Sequence, residues 1–157
     1  MEQRIKVNEK GWDAMKSLYG IGAYLAKSSI EQKLLHLIYF RVSQMNGCAF
    51  CLDMHSKDLR AEGETEQRLY VLDAWQEAPF YTEKERAALA WAEALTKIKS
   101  SLVPDEIYNE AQKHFSDEEL IDLTLGVTAI NTYNRINIAF GAAVGTYQIG
   151  QFAPSKN

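Results

Sequence analysis

Apolar residues recur at spacings of three and four along most of the sequence, with little of the strict alternation that is typical of half-buried strands. Each such stretch predicts a helix with one buried face. The predicted helices cover residues 12–26, 29–46, 48–63, 65–76, 82–98, 104–114 and 116 to beyond 140. The sequence therefore predicts an all-α, single-domain bundle of about six to seven helices.

Capping and turn residues mark the boundaries of these helices. The capping-box pattern, Ser or Thr followed three residues later by Glu or Gln, occurs at Ser29, Thr82 and Ser116. Gly47 favours a turn between two helices, and Gly63 suits a left-handed helix end. Residues 29–63 are therefore expected to form a helical hairpin.

Composition places the chain among ordinary globular domains, because its 157 residues are 46% hydrophobic and 24% charged. This length fits one domain over residues 1–157. The 17 Lys and Arg against 21 Asp and Glu give a net charge of −4, which argues against binding to a nucleic-acid backbone. Neither a membrane-spanning apolar run nor the apolar core of a secretory signal is present, so we expect a cytoplasmic protein without nucleic-acid or membrane partners.

The two cysteines of the chain, Cys48 and Cys51, form a C-x-x-C pair. A disulfide between them would close too small a loop to restrain much of the unfolded chain, so chemistry explains the pair better than structural cross-linking does. If Cys48 lies at a helix start, unpaired backbone N–H groups and the helix dipole favour its thiolate. The pair is therefore a candidate redox site.

His55 follows Cys51 by four residues and should project from the same helix face, where its imidazole can accept the thiol proton. The antiparallel return of the hairpin places Ser43 opposite Cys51 and Tyr39 opposite His55. His36 lies one turn deeper, where it could orient His55 directly or through a water. These side chains are the candidate site.

Each of these residues also has an ordinary structural interpretation. His36 alone on an apolar face is often a core histidine, Tyr39 is more typical of packing, and Ser43 could bond back to its own helix. Glu93 is the one charged residue between Ala87 and Leu95. It is either a carboxylate with a partner, near the site or at an interface, or a glutamate that faces solvent. The alternatives stay open for all four residues.

A zinc site is the competing interpretation of the cysteine pair. Four ligands would be needed, and Cys48, Cys51, His55 and His36 could supply them. The string of residues around the pair favours redox chemistry, and we expect no bound metal.

The string R-x-S-Q-x-N-G-C-x-x-C-x-x-x-H runs from Arg41 to His55. Together with residues 64–68 and W-A-E-A-L-T at 91–96, it resembles the carboxymuconolactone decarboxylase superfamily, on its alkylhydroperoxidase (AhpD-like) branch. The resemblance covers a motif core of roughly 33–97 and, more loosely, the helices on either side.

The resemblance implies an all-helical fold, assembly as a dimer or a trimer of dimers, and cysteine-based peroxide reduction. It implies that Cys51 is the peroxidatic cysteine, that Cys48 resolves it and meets an external dithiol reductant, and that His55 is the relay base. No bound cofactor is expected. Two positions depart from the active peroxidases, since His36 stands where they carry a glutamate and Phe50 where a well-developed peroxidase carries a histidine.

We expect a thiol-dependent peroxidase or disulfide reductase with an antioxidant role. One alternative is a redox-sensing or binding protein with weak turnover, whose disulfide changes its oligomer packing. Another is a cofactor-independent decarboxylase-like enzyme, although the founding lactone decarboxylases lack the C-x-x-C pair. Three tryptophans, eight tyrosines and a long apolar last helix also predict a homo-oligomer, which would bury the surplus apolar surface.

Overall fold

The computed structural model describes residues 3–98 and 102–152, and throughout these ranges the secondary structure is helical, without strands. The helices are α1 Val7–Lys10, α2 Trp12–Leu25, α3 Gln32–Asn46, α4 Ala49–Ala61, α5 Glu66–Tyr70, α6 Glu83–Thr96, α7 Asp105–Gln112 and α8 Asp117–Phe140, with a 3₁₀ turn at Leu72–Ala74. The predicted all-α bundle is confirmed. The described part of the chain has eight α-helices rather than six to seven, because α1 is too short to show a helical period.

Helix α3 lies at the centre of the bundle and packs against α4, α6 and α8. It buries apolar side chains around much of its circumference: Leu34, Leu35, Leu37, Ile38, Phe40 and Val42. Gly126 lets α8 approach α3 closely, since a Cβ atom there would lie 2.9 Å from Cδ2 of Leu35 and 3.4 Å from the Tyr39 ring. None of the described helices is long and apolar enough to cross a membrane.

Two of the three predicted capping boxes are present. The side chains of Thr82 and Ser116 accept hydrogen bonds from the backbone N–H groups of Glu85 and Glu119. The carboxylates of these two glutamates accept in return from the backbone N–H groups of Thr82 and Ser116. The box predicted at Ser29 is wrong, because α3 begins at Gln32 after Glu31. The Gln32 side chain instead donates to the backbone oxygen of Leu25, at the end of α2, 2.9 Å away.

The predicted hairpin is formed by α3 and α4. Gly47 ends α3 with φ +68° and Gly63 follows α4 with φ +86°, both in the left-handed region that favours glycine. The backbone N–H of Cys48 donates to the oxygen of Ser43, 3.0 Å away, which closes the turn. Cys48 becomes the N-cap residue of α4, so the cysteine pair lies at the tip of the hairpin.

Other boundaries differ from the sequence prediction. The helix predicted over 65–76 is split into α5 and the 3₁₀ turn. The helix predicted to reach residue 98 ends at Thr96, because Lys97 leaves the helical region at φ −119° and ψ 52°. Residues 1–2, 99–101 and 153–157 of the predicted domain lie outside the described residues.

Candidate redox site

A disulfide joins Cys48, at the N-cap of α4, to Cys51 in its first turn, with their Cα atoms 5.4 Å apart. Both residues are buried, with exposed fractions of 1% and 0%. The two sulfurs predicted to pair are therefore within bonding reach, and they lie inside the protein. A substrate can approach them only through a cavity or after a local movement.

Asn137 of α8 donates a hydrogen bond from Nδ2 to Sγ of Cys51, at 3.3 Å. This residue was not predicted from the sequence. Asn131, Asn134 and Asn137 recur every three residues and form a polar stripe on an otherwise apolar helix, which is the one local signal that could have indicated it. A donor on the sulfur favours the thiolate of the reduced protein over the thiol.

The rest of this stripe holds the hairpin tip in place. Asn134 is fully buried, donates to the Ser43 hydroxyl at 3.0 Å, and accepts from Asn46 at 2.9 Å. Asn46 also donates to Asn131 at 3.0 Å. The Ser43 hydroxyl is therefore bonded to α8, and Ser43 supports Cys48 through its backbone oxygen.

His55 is 7% exposed, and its ring centre lies 5.4 Å from that of Tyr39 and 6.4 Å from that of His36. Both ring nitrogens are buried without a hydrogen-bond partner among the described residues. Burial, and to a lesser extent the charge of His36, lowers the pKa of His55 to about 3. The imidazole is therefore neutral at physiological pH. One ring nitrogen has a lone pair that can accept a proton, and burial disfavours the charged form that results.

His36 lies at the outer edge of this group, with its side chain 28% exposed. Its Nδ1 atom is 2.8 Å from Oε1 of Glu62, close enough for an ion pair though not aligned as a linear hydrogen bond. Tyr39 packs against both histidines, and burial raises its pKa well above the usual range, so its hydroxyl stays protonated.

Glu93 is a partnered carboxylate. Its Oε1 accepts from Nε of Arg41 at 2.7 Å and from the indole N–H of Trp75 at 2.8 Å. The contacts join α3, α6 and the segment between the 3₁₀ turn and α6. They lie apart from the cavity that Cys51 and His55 line.

Among the described residues, no group of three or more His, Cys, Asp or Glu side chains is arranged to hold a metal ion. The two sulfurs that a zinc site would need are bonded to each other. His36 contacts Glu62 rather than the cysteine pair. The four side chains that a zinc site would require are therefore not brought together as one set of ligands among the described residues.

A cavity of about 1120 Å³ opens onto Cys51, His55, His36 and Tyr39. Its walls come from α1, α2, α3, α4 and α8 and from residues 142–152. Aromatic side chains make up much of the lining: Tyr19, Phe50, Tyr133, Tyr147 and Phe152. A cavity of this size and character accommodates an apolar organic molecule beside the Cys51 sulfur.

Residues 142–152, which we call the strap, are tied to the helix that carries the redox pair. The backbone N–H of Gly145 donates to Asp53 at 3.1 Å, and the Tyr147 hydroxyl donates to Asp58 at 2.7 Å. Lys57 donates to the backbone oxygen of Tyr147 at 3.2 Å. The strap therefore forms a fixed wall of the cavity.

The sequence matches a known family and a curated relative over most of its length. The sequence model of the carboxymuconolactone decarboxylase family matches residues 13–94. The uncharacterized protein YdfG of Bacillus subtilis is 48% identical over 90% of this chain and 96% of its own length.

Solved structures share the fold. A protein of unknown function from Agrobacterium tumefaciens, named as a putative antioxidant defence protein AhpD, is 40% identical with a TM-score of 0.88 and covers 93% of this chain and 100% of its own. A peroxidase-related protein of Ralstonia eutropha with an alkylhydroperoxidase AhpD core has a TM-score of 0.77 at 17% identity, over 89% of this chain and 75% of its own.

Proposed function

Because the chain belongs to the carboxymuconolactone decarboxylase family, on its AhpD-like branch, we propose that it is a thiol-dependent peroxidase or disulfide reductase with an antioxidant role. The observation that carries this proposal is the buried Cys48–Cys51 disulfide beside a neutral His55 that has no hydrogen-bond partner among the described residues. The name of the relative from Agrobacterium tumefaciens, which includes antioxidant defence, agrees with it.

The cycle begins with both cysteines reduced. His55 takes the proton of Cys51, and the thiolate attacks the terminal oxygen of a hydroperoxide. The O–O bond breaks, the alkoxide leaves as an alcohol with the proton returned through His55, and Cys51 becomes a sulfenic acid. Cys48 then attacks the Cys51 sulfur and expels water, which forms the disulfide.

The disulfide must be reduced for turnover. An external dithiol supplies two electrons and two protons and restores both thiols, so one hydroperoxide and one dithiol yield one alcohol, one water and one disulfide. No bound cofactor takes part in this cycle. We place the reaction in a reducing, cytoplasmic compartment, where such dithiols are available.

Cys51 is the better candidate for the attacking sulfur. It accepts the hydrogen bond from Asn137 and faces the same cavity as His55. Cys48 has the helix dipole in its favour, a contribution of about 0.3 to 1 kcal/mol. The hydrogen bond from Asn137 contributes about 0.5 to 1.5 kcal/mol, at least as much as the dipole. Of the two cysteines, Cys51 is also the one that lines the cavity.

The proposal is tested by trapping the sulfenic acid with dimedone after treatment with cumene hydroperoxide. The variant Cys48→Ser should give an adduct at Cys51, identified by mass spectrometry, and Cys51→Ser should give no comparable adduct at Cys48. Preferential labelling of Cys48 in the unmodified protein would reverse the assignment. Failure of the wild-type protein to consume hydroperoxide, with both thiols reduced, would rule out the peroxidase activity.

A further inference from the structure

Two side chains, His36 and Glu62, lie between the candidate base His55 and the solvent. Exposure rises stepwise along this row, from 0% at Cys51 and 7% at His55 to 28% and 37% for the side chains of His36 and Glu62. The row therefore connects the buried sulfur to the surface through titratable groups only.

The outer members of the row lie close to one another. The His55 and His36 ring centres are 6.4 Å apart, a separation that one bridging water can span. The Nδ1 atom of His36 lies 2.8 Å from Oε1 of Glu62. His55 has no hydrogen-bond partner of its own among the described residues, so neither of its nitrogens is already committed to another group.

We propose that Glu62 is a positioning residue that stabilises positive charge on His36, so that the proton taken from Cys51 by His55 passes outward and is held on His36. This inference rests on the proposed role of His55 as the base. A buried imidazole without a charged partner holds a proton poorly, since burial disfavours the charged form. The carboxylate of Glu62, whose Oε1 lies 2.8 Å from Nδ1 of His36, is placed to balance the positive charge of a proton that reaches His36.

The charged and titratable groups around the row are few. Tyr39 of α3 packs against both imidazoles and stays protonated, since burial raises its pKa. Tyr133 of α8 lines the same cavity, and burial raises its pKa to about 12. Asp58 of α4 also lines the cavity, but its carboxylate accepts the Tyr147 hydroxyl. Among these groups, Glu62 is the carboxylate in contact with a histidine.

The test measures ionisation of the Cys51 thiol without a peroxide. In a Cys48→Ser background, iodoacetamide alkylates the remaining cysteine at a rate that follows its thiolate fraction. Glu62→Ala should slow alkylation at about pH 7 by roughly 3- to 10-fold, the range expected for loss of a partly exposed charge contact. The wild-type and variant curves should converge near pH 10, where hydroxide ionises the thiol unaided.

Two further measurements separate this role from a structural one. Added acetate should restore part of the alkylation rate of Glu62→Ala, because Glu62 is exposed enough for a small carboxylate to replace it. In a His36→Gln background, Glu62→Ala should cause no additional loss. Glu66→Ala is the matched control, since Glu66 is an exposed acidic residue nearby that pairs with Arg60, and it should leave the rate unchanged.

Equal alkylation rates for wild type and Glu62→Ala would overturn the proposal. So would a loss that is the same at every pH, insensitive to acetate, or additive with His36→Gln. If Glu62→Ala unfolds, the same alkylation rate is measured in Glu62→Gln, which keeps the size of the side chain and removes its charge. Since the assay needs no peroxide, its failure counts against the proton route through His55, His36 and Glu62. A wild-type protein that ionises Cys51 but reduces no hydroperoxide counts against the proposed function.

Discussion

Asn137 on α8 donates a hydrogen bond to the sulfur of Cys51 on α4, 86 residues earlier in the chain. The same face of α8 bonds the end of α3 through Asn134 and Asn131. One helix therefore both fixes the turn before the cysteine pair and provides the donor to the candidate nucleophile. The reactivity of the pair depends on how α8 docks as well as on the C-x-x-C segment itself.

Replacing Asn137 with Leu, which has a similar size but no donor, is expected to slow alkylation of Cys51 at about pH 7 by roughly 2- to 10-fold. This range corresponds to the loss of one hydrogen bond of about 0.5 to 1.5 kcal/mol from the thiolate. The measurement uses iodoacetamide in the Cys48→Ser background. Asn109→Leu, on the exposed face of α7, is the control, and equal rates for both variants would show that the contact with Cys51 has no effect on ionisation.

Asn134→Ala is expected to lower the free energy of unfolding by about 2 to 4 kcal/mol, because it removes two hydrogen bonds and leaves buried polar groups on Ser43 and Asn46 without this partner. Urea denaturation monitored by circular dichroism measures the change. Thr128→Ala, an exposed position on the same helix, should stay within about 0.5 kcal/mol of wild type. A small effect of Asn134→Ala would mean that water replaces the amide.

The lowered pKa of His55 predicts how the stability of the oxidised protein depends on pH. Between about pH 6.5 and pH 3, the unfolded chain binds a proton at His55 that the folded protein does not. This contribution to stability is therefore fully present above pH 6.5 and is lost as the pH falls, by up to about 1.4 kcal/mol per pH unit.

The comparison that isolates this contribution is between wild type and His55→Leu, which lacks the titrating group. The variant should lose less stability between about pH 6.5 and pH 4, whatever its stability at neutral pH, as measured by urea denaturation at each pH. His114→Leu serves as the control, since His114 lies at the surface beside Glu110. Parallel curves for wild type and His55→Leu would contradict the assignment of a neutral His55.

Glu93→Gln is expected to destabilise the protein by about 1 to 3 kcal/mol. The substitution removes the charge that Arg41 pairs with, and Arg41 is only 12% exposed. Thermal denaturation compares this variant with Glu83→Gln, a first-turn residue of α6 that lies in an exposed position. If Glu83→Gln costs as much, the loss reflects the charge of α6 rather than the contact with Arg41.

We expect the protein to form a homo-oligomer, a dimer or a trimer of dimers. Large apolar side chains are exposed on the described surface, among them Trp12 at 54%, Tyr24 at 50% and Ile121 at 67%. Association would remove such surface from water. Light scattering at micromolar concentration should give at least twice the 17.8 kDa mass of the chain, and a monomer would contradict the expectation.

The sequence predicts those helix boundaries that are set by hydrogen bonds between residues close together in the chain. The capping boxes at Thr82 and Ser116 form because every group they need lies within four residues. The box at Ser29 fails because the Gln32 side chain finds a backbone oxygen on α2, a partner outside any local window. The same distinction applies within the site.

The cysteine pair, His55 and the hairpin could be predicted, since spacing along α4 and a turn at Gly47 suffice to bring them together. The donor to Cys51 could not, because its position depends on how α8 packs against α4, which no short pattern encodes. The contact between Glu62 and His36 could not be predicted either. Glu62 follows the last turn of α4, where helical spacing no longer indicates the direction of a side chain.

The strap has a consequence for how the protein is made. The chain is synthesised from its N-terminus, so Cys48 and Cys51 leave the ribosome before α8 and residues 142–152, which enclose them, have been translated. During that interval neither Asn137 nor the walls contributed by α8 and the strap are present around the sulfurs. The nascent thiols are therefore open to any oxidant or thiol in the surroundings, and the selectivity that a fitted cavity gives arises only when translation has passed the strap.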